Sequence, residues 1–188
     1  VGKLLSANVV AQVIGLIVYP ILTRMYAPED FGLLNLFLSI GGILTLISLS
    51  EYQYAIVLPK QEKHAVSLFH FCIVMLLCST FIVGFVCVCF PHQIASLFDA
   101  PTLAAYLWLM PIYIFVMGLW CLLNYWYTRK KMFTNITLYQ VSQSVTCAGS
   151  KVSFGWYNIL QGGMIYSTII APIVALIISC TYRFRLVI

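Results

Sequence analysis

Residues 19–32 read Tyr-Pro-Ile-Leu-Thr-Arg-Met-Tyr-Ala-Pro-Glu-Asp-Phe-Gly, and this stretch decides the fold. It ends one apolar segment, passes through a few polar residues and opens a second apolar segment at Phe31. A short polar connection between two long apolar segments is typical of a helical hairpin in a lipid bilayer. Because further apolar segments follow along the chain, we predict a bundle of transmembrane hairpins.

The composition also indicates a membrane protein. The 188 residues are 62% hydrophobic and only 8% charged, whereas soluble domains carry about 25% charged residues. The net charge is +5, but the ten Lys and Arg residues are scattered between apolar segments instead of forming one basic face. We therefore predict an integral membrane protein in contact with membrane lipid, and no nucleic-acid partner.

Six segments are long enough to cross the membrane. A helix needs about 20 mainly apolar residues to span a hydrocarbon core of about 30 Å. Apolar residues run continuously through the segments, which favours helices over alternating strands. We predict an all-α, polytopic protein with a single membrane domain over residues 1–188 and six transmembrane helices, at about 4–22, 31–58, 67–90, 103–127, 136–154 and 156–182.

The distribution of basic residues predicts the orientation of these helices. If both termini and the loops at 59–66 and 128–135 lie on one side, that side collects eight of the ten basic residues. The opposite side receives only Arg24 and Lys151. By the positive-inside rule, both termini are predicted to be cytoplasmic.

Polar residues recur at helical spacing in the first and fifth predicted helices. Residues three, four or seven apart share one face of a helix. Such a face either hydrogen-bonds to a neighbouring helix or lines a cavity, and Lys151 can alternatively extend to the membrane interface. The first stripe contains Asn8, Gln12, Gly15 and Tyr19, and the second contains Gln140, Gln143, Ser144, Cys147 and Lys151.

The second and fourth predicted helices contain further candidates. The second apolar segment continues past Glu51 to Leu58, which would place Glu51 about 10 Å inside the cytoplasmic end of the helix. An ionisable residue there predicts a functional site; the alternative is a carboxylate at the membrane interface that pairs with Lys60 or another loop cation. In the fourth helix Pro111 predicts a kink. An aromatic stripe follows it and either packs or binds a ligand; it contains Tyr113, Met117, Trp120, Asn124 and Tyr127.

Motifs for catalysis or metal binding are absent from the sequence. It contains no phosphate-binding glycine loop, no H-E-x-x-H and no G-x-S-x-G, which disfavours an ATP-driven pump or a membrane hydrolase. His64 and His92 are predicted on opposite sides of the membrane, so the histidines cannot form one metal site. We expect no catalytic residue, no metal and no cofactor, and we predict a solute path through a helical bundle.

Several segments resemble one family. They are Ser-Ala-Asn-Val-Val-Ala-Gln at 6–12, the stretch at 19–32 and Tyr-Ala-Ile-Val-Leu-Pro-Lys at 54–60. They resemble the start of bacterial polysaccharide biosynthesis flippases, which belong to the multidrug, oligosaccharidyl-lipid and polysaccharide exporter superfamily. Arg-Lys-Lys-Met-Phe at 129–133 and the pair Gln143 and Ser144 are similar to that family's fourth-to-sixth-helix region.

The resemblance implies a function and partners. It implies that undecaprenyl-diphosphate-linked oligosaccharides, such as O-antigen units of lipopolysaccharide or capsule repeats, are flipped from the inner to the outer leaflet of the bacterial cytoplasmic (inner) membrane. Family members work by alternating access without ATP hydrolysis, with two helical lobes around a cationic cavity. The predicted helices match only the N-terminal lobe, so we expect activity as part of a longer or assembled protein, with other polysaccharide assembly proteins as further partners.

The resemblance and the polar stripes together define the candidate site. Arg24 matches the family's arginine after the first helix, and Glu51-Tyr52-Gln53 stands where many relatives read Arg-Tyr-Glu. Two alternatives stay open: a cation-coupled drug exporter with Glu51 as the coupling carboxylate, and an inactive remnant of a truncated gene. The candidate substrate-binding residues are Asn8, Gln12, Tyr19, Arg24, Glu51, Tyr52, Gln53, Trp120, Asn124, Gln140, Gln143 and Lys151.

Overall fold

The computed structural model of the protein describes residues 2–59, 61–157 and 162–187. Every regular element in these ranges is a helix and none is a strand, so the all-α prediction is confirmed for them. Two 3-10 helices, Tyr52–Val57 and Pro101–Leu109, accompany the α-helices. The α-helices are α1 (Gly2–Met25), α2 (Pro28–Leu49), α3 (Glu62–Cys89), α4 (Pro91–Leu97), α5 (Met110–Arg129), α6 (Phe133–Trp156) and α7 (Gly163–Val187).

Four described segments are long and apolar enough to cross a membrane. They are Pro28–Leu49, Glu62–Cys89, Pro101–Arg129 and Gly163–Thr181. Among the described side chains of α1, only the stretch Gln12–Met25 could be assessed for its apolar length, and α6 is not among the four. These segments support a membrane protein, whereas the count of six spans and the cytoplasmic termini stay predictions.

The chain divides into two compact units. Unit 1 contains residues 1–32 and 130–188, and unit 2 contains residues 33–129. In unit 1, α6 packs against both α1 and α7. Helices α6 and α7 are antiparallel, because Ser179 near the end of α7 donates a hydrogen bond to the carbonyl of Asn135 near the start of α6 at 3.5 Å.

The turn predicted within residues 19–32 is present, although α1 passes through Pro20 and ends only at Met25. Pro28 is the first residue of α2, a position where its missing N–H removes no helical hydrogen bond. Asp30 Oδ2 accepts a hydrogen bond from the backbone N–H of Ala27 at 3.2 Å and thereby caps the start of α2. The turn is therefore fixed by its own polar residues.

The second predicted helix, 31–58, is wrong beyond Leu49. Ser50 and Glu51 have φ angles of 45° and 62°, in the left-handed region that side chains other than glycine rarely adopt. Two such residues in succession end α2, and the 3-10 helix Tyr52–Val57 packs against α3 and α5 instead. Glu51 therefore lies in an exposed break, and its predicted position about 10 Å inside a continuous helix is a misprediction.

Pro111 was predicted to kink a continuous helix, but it lies in the first turn of α5. The chain before it forms the 3-10 helix Pro101–Leu109. Because Pro111 has no backbone N–H, it cannot continue the hydrogen-bond ladder of that 3-10 helix, and the helix type changes at this point. The predicted interior kink is therefore replaced by a change of helix type.

Three other boundaries differ from the prediction. Helix α3 begins at Glu62, and the loop after it contains the short helix α4, which the apolar pattern did not indicate. Helix α6 extends to Trp156, so the sixth predicted helix does not begin there. Helix α7 begins at Gly163, and residues 158–161 lie outside the described ranges.

Candidate functional site

A polar groove lies between α1 and α6 in unit 1, with a volume of about 420 Å³. We call it the α1–α6 groove. It brings together three of the predicted site residues, Tyr19, Gln143 and Lys151. The complete lining is Gly15, Val18, Tyr19, Leu22, Gln143, Ser144, Cys147, Ala148 and Lys151.

Helical periodicity places these side chains on facing surfaces of α1 and α6. Tyr19 is 58% exposed and its ring lies 5.8 Å from that of Phe31, centroid to centroid. At Gly15 an added Cβ would have no neighbour within 4 Å. The absent side chain therefore leaves open space in the wall opposite Gln143.

Helices α1 and α6 run parallel. Gly15 shares the groove with Gln143, and just beyond the end of α1 Tyr26 contacts Lys151, which lies further along α6. The hydroxyl of Tyr26 donates a hydrogen bond to the backbone carbonyl of Lys151 at 2.8 Å. The α1–α6 groove therefore runs lengthwise between the two helices, toward the C-terminal end of each.

Tyr26 closes this end of unit 1. Its side chain is buried, and a Cβ added at Gly155 would lie only 3.1 Å from its ring. Burial raises the pKa of the Tyr26 hydroxyl, and the nearby carboxylate of Asp30 raises it further. The hydroxyl therefore stays protonated and keeps donating to the Lys151 carbonyl at neutral pH.

The lining of the α1–α6 groove combines one cation with several uncharged polar groups. Lys151 contributes the positive charge, and neither Asp nor Glu lines the groove. The Ser144 hydroxyl donates to the Gln140 carbonyl at 2.9 Å, which leaves its oxygen free to accept. The ammonium of Lys151, the carboxamide of Gln143 and the phenol of Tyr19 supply donors suited to phosphate or sugar oxygens.

The other candidates on α1 and α6 do not line this groove. Gln12 is exposed on the face of α1 that carries Tyr19, and the side chain of Asn8 lies outside the described part of the chain. Gln140 has a buried Oε1 without a hydrogen-bond partner among the described residues. Arg24 lines a separate cleft of about 430 Å³ with Pro20, Ile21 and Met25, positions that lie on the opposite side of α1 from Gly15 and Tyr19.

The remaining five candidates belong to unit 2. Glu51 is exposed, and Tyr52 packs its ring edge against Phe71 with centroids 5.7 Å apart. Gln53 is 2% exposed, and its Oε1 has no hydrogen-bond partner in the described ranges. Trp120 and Asn124 are half-buried on α5. A role in substrate binding stays a prediction for all twelve residues.

The aromatic stripe of α5 serves packing at both ends. Tyr113 and Tyr127 are buried. The ring of Tyr113 meets Phe37 edge-on at 5.6 Å and covers Gly41 of α2. These contacts favour the packing interpretation for the two tyrosines that flank Trp120 and Asn124.

Two residues were missed as determinants of the groove. The sequence pattern predicts only a turn at Tyr26, although a tyrosine that becomes buried usually finds a hydrogen-bond partner for its hydroxyl. Gly155 carries no motif at all, and only the structure shows that it makes room for Tyr26. Tyr26 holds the backbone at Lys151 through its hydrogen bond, and Gly155 leaves space for the Tyr26 ring.

Comparison with known proteins identifies the family. Residues 21–188 match the family described as polysaccharide biosynthesis protein. The matched region contains all of α6, with Gln143, Ser144 and Lys151, and begins two residues after Tyr19. No curated protein and no solved structure is significantly similar to this chain. Because the match covers most of the sequence, the chain belongs to the polysaccharide biosynthesis protein family.

Proposed function

We propose that this chain acts in flipping undecaprenyl-diphosphate-linked oligosaccharides from the inner to the outer leaflet of the bacterial cytoplasmic membrane. It would do so as a multi-pass protein and as the N-terminal lobe of a longer or assembled transporter. The family match supports a role in polysaccharide biosynthesis. The observation that carries the proposal is the α1–α6 groove, whose lining has one cation and no acid.

The physical problem in flipping is to move a charged, hydrated headgroup past hydrocarbon. A polar group without a partner in an apolar medium costs several kcal/mol, and an isolated charge costs far more. Lys151 would offset the charge of the diphosphate. Gln143, Ser144 and Tyr19 would replace water at the sugar hydroxyls and phosphate oxygens. No covalent bond changes in this process, so we propose transport and not catalysis.

The test is restoration of surface polysaccharide in a strain that lacks its own flippase. We expect the chain, expressed with the rest of its transporter, to restore the polysaccharide on the cell surface. Lys151→Met should reduce the rate at least 10-fold, because a charge-assisted hydrogen bond contributes about 1.5–3 kcal/mol. Lys151→Arg should keep part of the activity, since the positive charge remains.

Lys63→Met is the matched control, because Lys63 is an exposed cation of α3 outside the groove. It should behave as the unchanged protein. Membrane insertion of each variant is checked by fractionation and immunoblotting. Full activity of a stably inserted Lys151→Met variant would remove the α1–α6 groove from the proposed path. Failure of the unchanged protein to restore any polysaccharide would remove the flippase proposal itself.

A further inference from the structure

A second groove lies in unit 2 between α3 and the beginning of α5, with a volume of about 670 Å³. We call it the α3–α5 groove. We propose that it binds one acyl chain of a membrane phospholipid. The inference is independent of the flippase proposal. The lining is Leu77, Thr80, Phe81, Gly84, Phe85, Val88, Cys89, Pro111, Ile112 and Phe115.

The floor of the groove is formed where the two helices approach each other closely. A Cβ added at Gly84 would lie 3.5 Å from Cβ of Pro111, which is ordinary van der Waals distance. Phe81 and Phe85 stand beside this floor and are 77% and 69% exposed. A depression between exposed aromatic rings is therefore built into the surface of α3.

The lining offers nothing to a charged or polar ligand. No lining residue carries a formal charge, and the only hydroxyl belongs to Thr80. That hydroxyl already donates to the carbonyl of Leu76 within α3 at 2.7 Å. A peptide segment or a lipid headgroup would leave its own polar groups unpaired here, whereas a hydrocarbon chain would lose no hydrogen bond.

The surroundings of the groove are those of a lipid-facing surface. Helix α3 contains the most apolar of the four membrane-spanning segments, with a mean hydropathy of 2.7. Only 17% of its most apolar 18-residue stretch is buried in the protein, against 50% for the corresponding stretch of Pro101–Arg129. The groove is therefore continuous with the surface at which α3 meets the bilayer.

The length and position of the groove favour a chain from one leaflet. The twelve residue steps from Leu77 to Cys89 correspond to about 18 Å of helix, slightly more than half of a hydrocarbon core of about 30 Å. Cys89 is also the last residue of α3. The groove therefore opens at the end of the helix, where a phospholipid headgroup would lie, and extends toward the middle of the bilayer.

Photolabelling tests this proposal. The intact protein is reconstituted in phosphatidylcholine vesicles that contain a small fraction of phosphatidylcholine with a diazirine on one acyl chain. After illumination, mass spectrometry maps the adducts. We expect labelling of Leu77, Phe81 and Phe85 to exceed at least threefold that of Ile43 and Ile47, which are exposed on α2 outside the groove.

Substitution of the floor supplies the decisive variant. Gly84→Leu should lower labelling at Phe81 and Phe85 at least threefold, because its side chain must occupy the groove. Gly84→Ala should keep it, since one Cβ fits. Gly42→Leu is the matched control on α2, where an added Cβ has no neighbour within 4 Å. Gel filtration and circular dichroism confirm that each variant is folded.

Three results would overturn the proposal. Uniform labelling of all exposed apolar residues would indicate that lipid contacts the whole surface without binding specifically to the groove. Loss of labelling when a small fraction of undecaprenyl phosphate is added to these vesicles, in which unlabelled phosphatidylcholine is already in excess, would identify a polyprenyl chain as the occupant. Efficient thiol crosslinking between Cys89 residues of two copies in the same vesicles would identify a second copy of the chain.

Discussion

The hydroxyl of Tyr26, in the turn between α1 and α2, donates a hydrogen bond to the backbone carbonyl of Lys151 on α6 at 2.8 Å. The two residues are 125 positions apart in the sequence. The bond ties the end of α1 to the part of α6 that presents Lys151 to the α1–α6 groove. It therefore links the stability of unit 1 to the geometry of the candidate site.

Removal of this hydrogen bond should destabilise unit 1. We expect Tyr26→Phe to lower the free energy of unfolding by about 1 kcal/mol, because one partly buried hydrogen bond is lost while the ring remains. Thermal unfolding in detergent measures the change. Tyr157→Phe is the control, since Tyr157 is 77% exposed. Equal unfolding temperatures for the two variants would mean that the Tyr26 bond contributes nothing.

The raised pKa of Tyr26 predicts a loss of stability at alkaline pH. Burial and Asp30 favour the protonated hydroxyl in the folded protein. The folded state therefore holds this proton more tightly than the unfolded state, whose tyrosine titrates near pH 10. The stabilisation is complete below about pH 10 and is lost as the pH rises toward the folded-state pKa. Between pH 8 and 11, Tyr26→Phe should lose less stability than the unchanged protein.

A pair of adjacent glycines tests the packing of unit 2. A Cβ at Gly41 would lie 2.6 Å from Cε1 of the buried Tyr113, whereas one at Gly42 would have no neighbour within 4 Å. We expect Gly41→Ala to cost about 1–3 kcal/mol, because the Tyr113 ring must move in a packed core. Gly42→Ala should be neutral or slightly stabilising. Thermal unfolding of both variants decides, and equal stabilities would contradict this packing.

Arg129 holds the 3-10 helix that follows the break in α2. Its Nη1 donates to the carbonyl of Ile56 at 3.1 Å and to that of Val57 at 3.4 Å. Arg129→Met should increase hydrogen exchange at Tyr52–Val57 at least severalfold, because these carbonyls lose a charged donor. The exposed cation Lys131 provides the control variant, Lys131→Met. Unchanged exchange in Arg129→Met would show that the 3-10 helix is held by packing alone.

The position of Glu51 argues against the alternative in which its carboxylate couples transport to a cation gradient. The carboxylate is exposed at a helix break instead of lying inside a helix. We expect Glu51→Gln to change stability by less than about 0.5 kcal/mol and to leave the dependence of transport on proton or sodium gradients unchanged. Transport in vesicles with and without each gradient measures this. A gradient dependence that disappears in Glu51→Gln would instead support the cation-coupled exporter.

The sequence predicted helices and faces better than it predicted breaks. The lengths of the apolar segments are sufficient to locate the hairpin turn and most of α2, α3 and α7, because a helix that crosses the hydrocarbon core needs about 20 apolar residues. It could not locate the end of α2, since apolar residues continue from Tyr54 to Leu58 after the break. The left-handed φ of Ser50 and Glu51 is a backbone property, and only this short polar pair hinted at it.

The candidate site was predictable in part for a similar reason. Periodicity placed Gln143, Ser144 and Lys151 on one face of α6, and the structure finds them together in the α1–α6 groove. Periodicity does not show which helix packs against a given face, because that pairing is set by contacts between residues far apart in the sequence. Arg24, which entered the candidate site through the family resemblance, lines a different cleft on α1 from Tyr19.

The arrangement of the two units also has a consequence for biosynthesis. Unit 2 is one continuous segment, residues 33–129, inserted between the two parts of unit 1. The ribosome therefore completes unit 2 before it makes α6. At a translation rate of about 5–20 residues per second, roughly 6–25 s separate the synthesis of Tyr26 from that of Lys151, and α1 lacks its partner helix α6 during this time. Any factor that shields an apolar helix before its partner helix is made would act on α1 during this interval.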